Sequence, residues 1–543
     1  LTPAKLRPIL PDCFIIRQRA GACPAKNREL QEKPLTNVNK SGLPTILGHP
    51  EGLFVLFFTE MWERFSYYGM RALLVLFLVS TATKGGWGWE RKDALELYGN
   101  YAFLVYITPI VGGWIADQFL GSRRSVVIGG FIIAAGHICL TLETVATFYT
   151  GLGLIVLGTG LFKPNISAIV GQLYDKADAA GRDAGYTLFY MGINAGAFFG
   201  ILLCGYIGEN IKWSYGFGLA GFFMILGALQ FYLSQGVFGN IGLSKEQTAV
   251  NNVAHDEGEA HVVRDRLIAI GIFAFFTIFF WMAFEQAGGS MTIFAADYTD
   301  RVLTGNFGTA FKVFNMLMTV IPTMVLSWLL IKLVRITYGR FLLANLALIL
   351  ALSTIWGLEI WMLWRDFAAD TSTVAATWFG TLNSFFIVVL APLFSKMWEE
   401  YWKPSAPVKF GVGLILLGLG FGVLAYGAAG IPSGAKTASV SMIYLVLAYW
   451  LHTMGELCVS PVGLSLVSKL APPRLLGLMF GIWFIMTAIA EKLAGKTGGM
   501  IDEISHTYSL STFFLIFTAI PIGAGIILMV LNGPIKRLMH GVE

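Results

Sequence analysis

The stretch Thr59-Glu60-Met61-Trp62-Glu63-Arg64-Phe65-Ser66-Tyr67-Tyr68-Gly69-Met70-Arg71 lies inside an apolar run from about Leu53 to Val79. A run of this kind is a membrane span, because roughly 20 apolar residues cross a hydrocarbon core of about 30 Å as a helix. Glu60, Glu63, Arg64, Tyr67, Tyr68 and Arg71 recur at helical spacing and form one polar stripe along the helix. Glu60, Glu63, Arg64 and Arg71 are ionisable, and each costs roughly 2.5–3.5 kcal/mol in a span facing lipid. The stripe must therefore face protein or water, and the helix must belong to a bundle.

The rest of the chain supplies that bundle. Of 543 residues, 56% are hydrophobic and 13% charged, about half the charged share of a soluble globular domain. Mean hydropathy is +0.67. Apolar runs predict about fourteen membrane helices, the first over 52–80 and the last over 509–532. Basic residues gather in the even-numbered connections, among them Arg123-Arg124, Lys332/Arg335/Arg340 and Lys469/Arg474, and at Lys536-Arg537. The positive-inside rule then places those loops and both termini in the cytoplasm. The expected organisation is all-α: a cytoplasmic tail over 1–50, a six-helix bundle over 51–238 and a cytoplasmic inter-bundle loop over 239–265. A second bundle over 266–535 follows, with an inserted helix pair at 309–364, and then a cytoplasmic C-terminus over 536–543. Two bundles with a site between them is a transporter architecture.

The composition also narrows the chemistry. The five cysteines are scattered without disulfide or metal-ligand spacing. No metal-ligand cluster, nucleophile motif, phosphate loop or sizeable soluble domain is evident, so neither an enzyme nor a cofactor protein is expected. Glu491, Lys492 and Lys496, near a span end, read as a salt-bridged interface feature.

The loop Gly113-Trp-Ile-Ala-Asp117-Gln-Phe-Leu-Gly121-Ser-Arg123-Arg124 resembles the helix 2–3 loop of the major facilitator superfamily, with one residue more than the commonest spacing. An acid at a helix end and arginines after a glycine turn suit a latch between neighbouring helices, with Asp117, Arg123 and Arg124 as its members. The stripe Glu60-x-x-Glu63-Arg64-Phe65-x-Tyr67-Tyr68-Gly69 is similar to the first-helix signature of the proton-dependent oligopeptide transporter (POT) family within that superfamily. Phe189-Tyr190-Met191-Gly192-Ile193-Asn194-Ala195-Gly196-Ala197 resembles the family's fifth-helix signature. Further matches are Gly160-Leu-Phe-Lys163-Pro-Asn, Trp281-Met-Ala-Phe-Glu285-Gln, Leu382-Asn383 and His452-Thr-Met-Gly455-Glu456-Leu-Cys-Val-Ser460-Pro461. The resemblance runs from about Gly52 to the last span.

That resemblance implies the major facilitator fold, two six-helix bundles plus one extra pair, and a proton-coupled symporter of di- and tripeptides in the cell membrane. It would act as a monomer in the lipid bilayer, with protons as the coupling ion and no cofactor. Arg64 and Lys163 are implied to hold the peptide carboxylate and Glu456 its ammonium. Asn194 and Asn383 would hydrogen-bond the peptide backbone. Tyr67, Tyr68, Tyr106, Trp281, Ser460 and Trp483 would line the remainder of the site. Glu60, Glu63 and Glu285 are implied to take protons, with Arg71 and Glu285 forming a gate. A nitrate or other small-solute transporter, or a drug/proton antiporter, is the alternative on the same fold. One departure stands out. Aligned on Leu97-Tyr98-Gly99-Asn100-Tyr101, the functional helix 2 histidine of mammalian members is Gly99 here.

Overall fold

The computed structural model describes residues 45–174, 178–243, 260–472 and 475–542. Most of the expected tail and of the inter-bundle loop lies outside the described residues. Fourteen long helices make up the rest. The first six are α1 (Glu51–Val79), α2 (Arg91–Ile115), α3 (Ser122–Leu140), α4 (Val145–Gln172), α5 (Ala179–Asn210) and α6 (Trp213–Leu233). They are followed by α7 (Ala260–Phe284), α8 (Gly305–Thr337), α9 (Leu342–Ala368), α10 (Trp378–Lys396) and α11 (Ala406–Gly427). The last three are α12 (Ile443–Leu470), α13 (Leu476–Gly498) and α14 (Leu510–Val530). Thirteen helices among the described residues are long and apolar enough to cross a membrane. The remaining long helix, α1, is set apart by the charges of its stripe.

All but four of the 29 residues of α1 are buried, the exceptions being Tyr68, Arg71, Ala72 and Val79. The helix therefore runs through protein on every side, which is how four ionisable groups are tolerated at membrane depth. Its closest neighbours are α5 and α6. Gly69 makes the contact with α5 possible, since a Cβ there would meet Cys204 Sγ at 2.6 Å. Small residues at such crossings let backbones approach where no hydrophobic force drives helices together.

The helices sort into two groups by packing. In the first, α3 lies on α4 and α6, α2 on α4, and α1 on α5 and α6. In the second, α11 lies on α12 and α14, α10 on α12, and α7 on α13 and α14. The two groups meet where α2 crosses α13 and α5 crosses α10. A Cβ on Gly99 of α2 would stand 2.7 Å from Gly495 Cα of α13, so this crossing is backbone against backbone.

Helix α7 does not end cleanly. It continues through a 3-10 turn at Glu285–Gly288, a short helix at Ser290–Ile293 and a wide turn at Phe294–Tyr298. The break falls at Glu285. Helices α8 and α9 pack on each other at the periphery, and α9 lies against α6. They also reach both groups through polar contacts. Trp378 Nε1 of α10 donates to Asn315 Oδ1 of α8 at 3.1 Å, and Tyr206 of α5 donates to Asp366 of α9 at 3.2 Å. Arg340, in the α8–α9 turn, pairs with Glu51 at the start of α1.

Candidate functional site

A cavity of about 330 Å³ lies between the two groups. One wall carries Tyr68 and Arg71 from α1, Tyr106 from α2, Lys163 from α4 and Asn194 from α5. The other carries Trp281 and Glu285 from α7 and its extension, Asn383 from α10, Glu456 and Ser460 from α12, and Trp483 from α13. Tyr190, Tyr449, His452 and Phe484 also line it. The first three of these are ordinary core-type residues within spans, and only tertiary packing turns them inward.

The walls differ in charge. Lys163 sits next to Pro164, which lacks the N–H that a helix would return to the carbonyl four residues back. Its ammonium stands 4.4 Å from the centroid of the Tyr106 ring. On the opposite wall, Glu456 Oε2 accepts a hydrogen bond from Asn383 Nδ2 at 2.8 Å. The same Asn383 nitrogen is 3.1 Å from Thr453 Oγ1. Asn194 Nδ2 donates back to the Tyr190 carbonyl at 3.0 Å. Ser460 Oγ has no hydrogen-bond partner among the described residues, and Pro461 follows it inside α12.

Arg64 and Tyr67 do not line this cavity. Arg64 is turned into its own helix surface, with Nε 3.0 Å from Glu60 Oε1 and in contact with Glu63. All three groups are buried. Tyr67 lies under the guanidinium, 5.3 Å from centroid to Cζ, and stacks on Tyr101 at 6.4 Å. Glu60, Glu63 and Arg64 thus form a closed charge cluster with one carboxylate more than cations, and the charge of Lys163 acts on it.

The end of the bundles where α1 finishes is shut by polar contacts. Arg71 pairs with Glu285. Its Nε donates to Tyr98 Oη at 2.6 Å, and Tyr98 donates to Glu285 at 3.2 Å. Further out, Arg91 at the start of α2 pairs with Asp297 and Asp502, each at 2.6 Å, and donates to Tyr298 at 3.0 Å. Glu209 at the end of α5 accepts from the Ala376 and Thr377 N–H groups at 2.8 Å and from the Thr377 hydroxyl at 2.6 Å. The opposite end is open, for Tyr190 lines the cavity yet is 42% exposed. The Arg91 and Glu209 clusters carried no sequence signal, since their partners lie far along the chain, from Arg301, which pairs with Glu209 at 3.9 Å, to Asp297 and Ala376.

Asp117 is exposed in a wide turn at the end of α2 and makes no ion pair among the described residues, so the expected latch is not formed in this state. Arg123 instead donates to the Gly239 carbonyl at 2.5 Å and lies over Phe238 at 5.7 Å, while Arg124 is exposed. Gly121, at a φ of 75°, turns the chain between the two. The salt-bridged interface feature expected at Glu491, Lys492 and Lys496 is not formed among the described residues. Glu491 is fully buried, and neither carboxylate oxygen has a hydrogen-bond partner among them.

Two helical bundles clasping a cavity with a cation on one wall and a carboxylate on the other, shut at one end, form a multi-pass membrane transporter. The chain belongs to the POT family, whose family model matches residues 123–255 and 347–515. It is 36% identical to the uncharacterized transporter YclF of Bacillus subtilis, over 91% of this chain and 96% of that one. It is 32% identical to a di-/tripeptide transporter of Lactococcus lactis, over 94% of this chain and 100% of the relative. Among solved structures, a mutant of the peptide transporter POT in complex with alafosfalin superimposes with a TM-score of 0.71. That match has 30% identity and covers 92% of this chain and 97% of the other.

Proposed function

We propose that this chain is a proton-coupled symporter that imports di- and tripeptides into the cytoplasm across the cell membrane, acting as a monomer with both termini cytoplasmic. The observation that carries the reading is the placement of Lys163 and Glu456 on opposite walls of one cavity. A peptide of any sequence has a carboxylate at one end and an ammonium at the other. An ammonium wall and a carboxylate wall recognise those ends by charge-assisted hydrogen bonds, while Trp281, Trp483 and Phe484 offer apolar faces to side chains. The named activity of the Lactococcus relative supports the same substrate class.

The proton enters through the carboxylates. With Glu60 and Glu63 ionised, Arg64 is fully engaged. Protonating one of them loosens that hold, and the guanidinium becomes available to the peptide carboxylate beside Lys163. At the shut end, a proton on Glu285 removes the charge that binds Arg71 and lets the bundles part. With the termini in the cytoplasm, the shut end faces outward and the open end inward. A gradient of one pH unit supplies about 1.4 kcal/mol per proton. A potential of 100 mV adds about 2.3 kcal/mol per charge.

Proteoliposome uptake of labelled dialanine under an imposed inward proton gradient tests the reading. Uptake above equilibrium that collapses with an uncoupler is the expected result. No uptake, together with thermal stabilisation by nitrate and not by dipeptides, would replace the reading with the small-solute alternative.

A further inference from the structure

Glu491 is the one buried carboxylate near the cavity that the mechanism above leaves idle. It lies on α13 two turns beyond Trp483 and one turn beyond Thr487, both of which line the cavity. The three share one face of the helix at i, i+4 and i+8. Glu491 therefore sits just past the cavity wall, between the site and the shut end. Its side chain is fully buried, and both oxygens lack a hydrogen-bond partner among the described residues.

Helix α13 packs on α2, on α7 with its extension, and on α12. From these, α2 brings Tyr98 and Tyr106 and α12 brings Tyr449, while Arg71 and Tyr67 of α1 and Lys163 of α4 interact with Glu491 electrostatically. The α7 extension brings Glu285, already paired with Arg71. Arg71 thus stands in the field of two carboxylates, one that it binds and one that it does not. Across the whole cluster the cations Arg64, Arg71 and Lys163 face the carboxylates Glu60, Glu63, Glu285 and Glu491, one carboxylate more than there are cations. An ionised carboxylate buried without donors or a partner is strongly disfavoured. The surplus charge is removed by a proton, and Glu491 is the member of the set that makes no direct ion pair or hydrogen bond among the described residues.

We infer that Glu491 is a proton relay that exchanges Arg71 with Glu285 as the outer end opens and closes. This rests on the symport reading above. With the outer end open, Glu285 carries a proton taken from outside, and ionised Glu491 holds Arg71. On closing, the O–H bond at Glu285 breaks and one forms at Glu491. Arg71 moves to the new carboxylate at Glu285, and the number of protons and charges in the cluster is unchanged. The Tyr98 hydroxyl, which touches both Arg71 and Glu285, marks the Glu285 end of that path. The proton on Glu491 then leaves past Thr487 into the cavity, which opens to the other side. The shut state described here, with Arg71 on Glu285 and Glu491 unpartnered, is the second half of that exchange.

The test compares Glu491→Gln with the unmodified chain in proteoliposomes, using labelled dialanine. Counterflow, which needs no net proton movement, is the control for folding and binding. The expected result is counterflow within about twofold of the unmodified chain and gradient-driven accumulation reduced at least about tenfold, one unit of the proton term, with Glu491→Asp restoring accumulation. Full accumulation by Glu491→Gln overturns the relay. So does equal loss of counterflow and accumulation in a variant that dialanine still stabilises thermally, because that pattern marks a structural residue. Should Glu491→Gln not fold, the pH midpoint of accumulation by Glu491→Asp decides: a displaced midpoint supports the relay and an unmoved one overturns it. Failure of the unmodified chain in counterflow would instead sink the symport reading itself.

Discussion

At the scale of single residues, the site works by charge placement. Lys163 and Glu456 are far apart in sequence and meet only across the cavity. Lys163→Ala and Glu456→Ala are each expected to lower dialanine uptake at least about tenfold, the loss of one buried charge-assisted contact of about 1.5–3 kcal/mol. Thermal stabilisation by dialanine should vanish with either. Unchanged ligand stabilisation in both would show that the termini bind elsewhere. Glu63→Gln separates coupling from binding. It frees Arg64 from one of its two carboxylates, so counterflow should persist while gradient-driven uptake is lost. A Glu63→Gln protein that still accumulates peptide under a gradient would remove Glu63 from the proton path.

Among elements, the α2–α13 crossing and the α8–α9 pair carry different loads. The crossing closes the outer end through Gly99 against Gly495. Gly99→Val places branched carbons into backbone and is expected to cost about 1–3 kcal/mol of overpacking. Because the contact exists only when that end is shut, the cost should appear as a bias toward the open state. Cysteine labelling from outside should rise and uptake fall. The α8–α9 pair is held by a polar seam: Thr323 Oγ1 donates to buried Glu359 at 2.7 Å, and Trp356 donates to Ser327 at 3.0 Å. Glu359→Gln keeps the acceptor and should leave melting and uptake near normal. Thr323→Val strands that acceptor and should cost about 1–3 kcal/mol of stability, seen as earlier melting with uptake per folded molecule unchanged. The apolar outer faces of the pair, among them Leu346, Leu350, Ile360 and Trp364, suit contact with lipid chains.

For the whole molecule, the decisive asymmetry is between a sealed end and an open one. Arg71 with Glu285 and Arg91 with Asp297 and Asp502 hold the same end, in two layers. The layers lie on α1 and α2 in one bundle, and on the α7 extension and the segment after α13 in the other. Rocking must break both at once. A cleavable thiol cross-link between Arg91→Cys and Asp297→Cys, the outer layer, in a chain whose native cysteines are replaced by serine, should stop uptake while intact and release it on cleavage. Uptake by the fully cross-linked protein would mean that this end does not open during transport.

Much of this was written locally in the chain. The stripe from Glu60 to Arg71 declares a buried helix, because charges at membrane depth permit nothing else. Lys163, Asn383 and Glu456 are each recognisable from a few neighbouring residues. What the chain could not express is which charged groups meet. Asp117 and Arg123 sit six positions apart and still form no ion pair across the Gly121 turn. Arg91 finds its acids 206 and 411 positions away. Arg64 follows the stripe's own spacing and turns to Glu60 and Glu63 rather than to the cavity. Glu491 looks like the partner of the lysines beside it, yet its helix faces it inward toward Arg71. Hydropathy and helical period act over a few turns and determine which segments span the membrane and which faces are polar. The pairing of buried charges depends on distances of a few ångströms between helices, and only the packed bundle sets those.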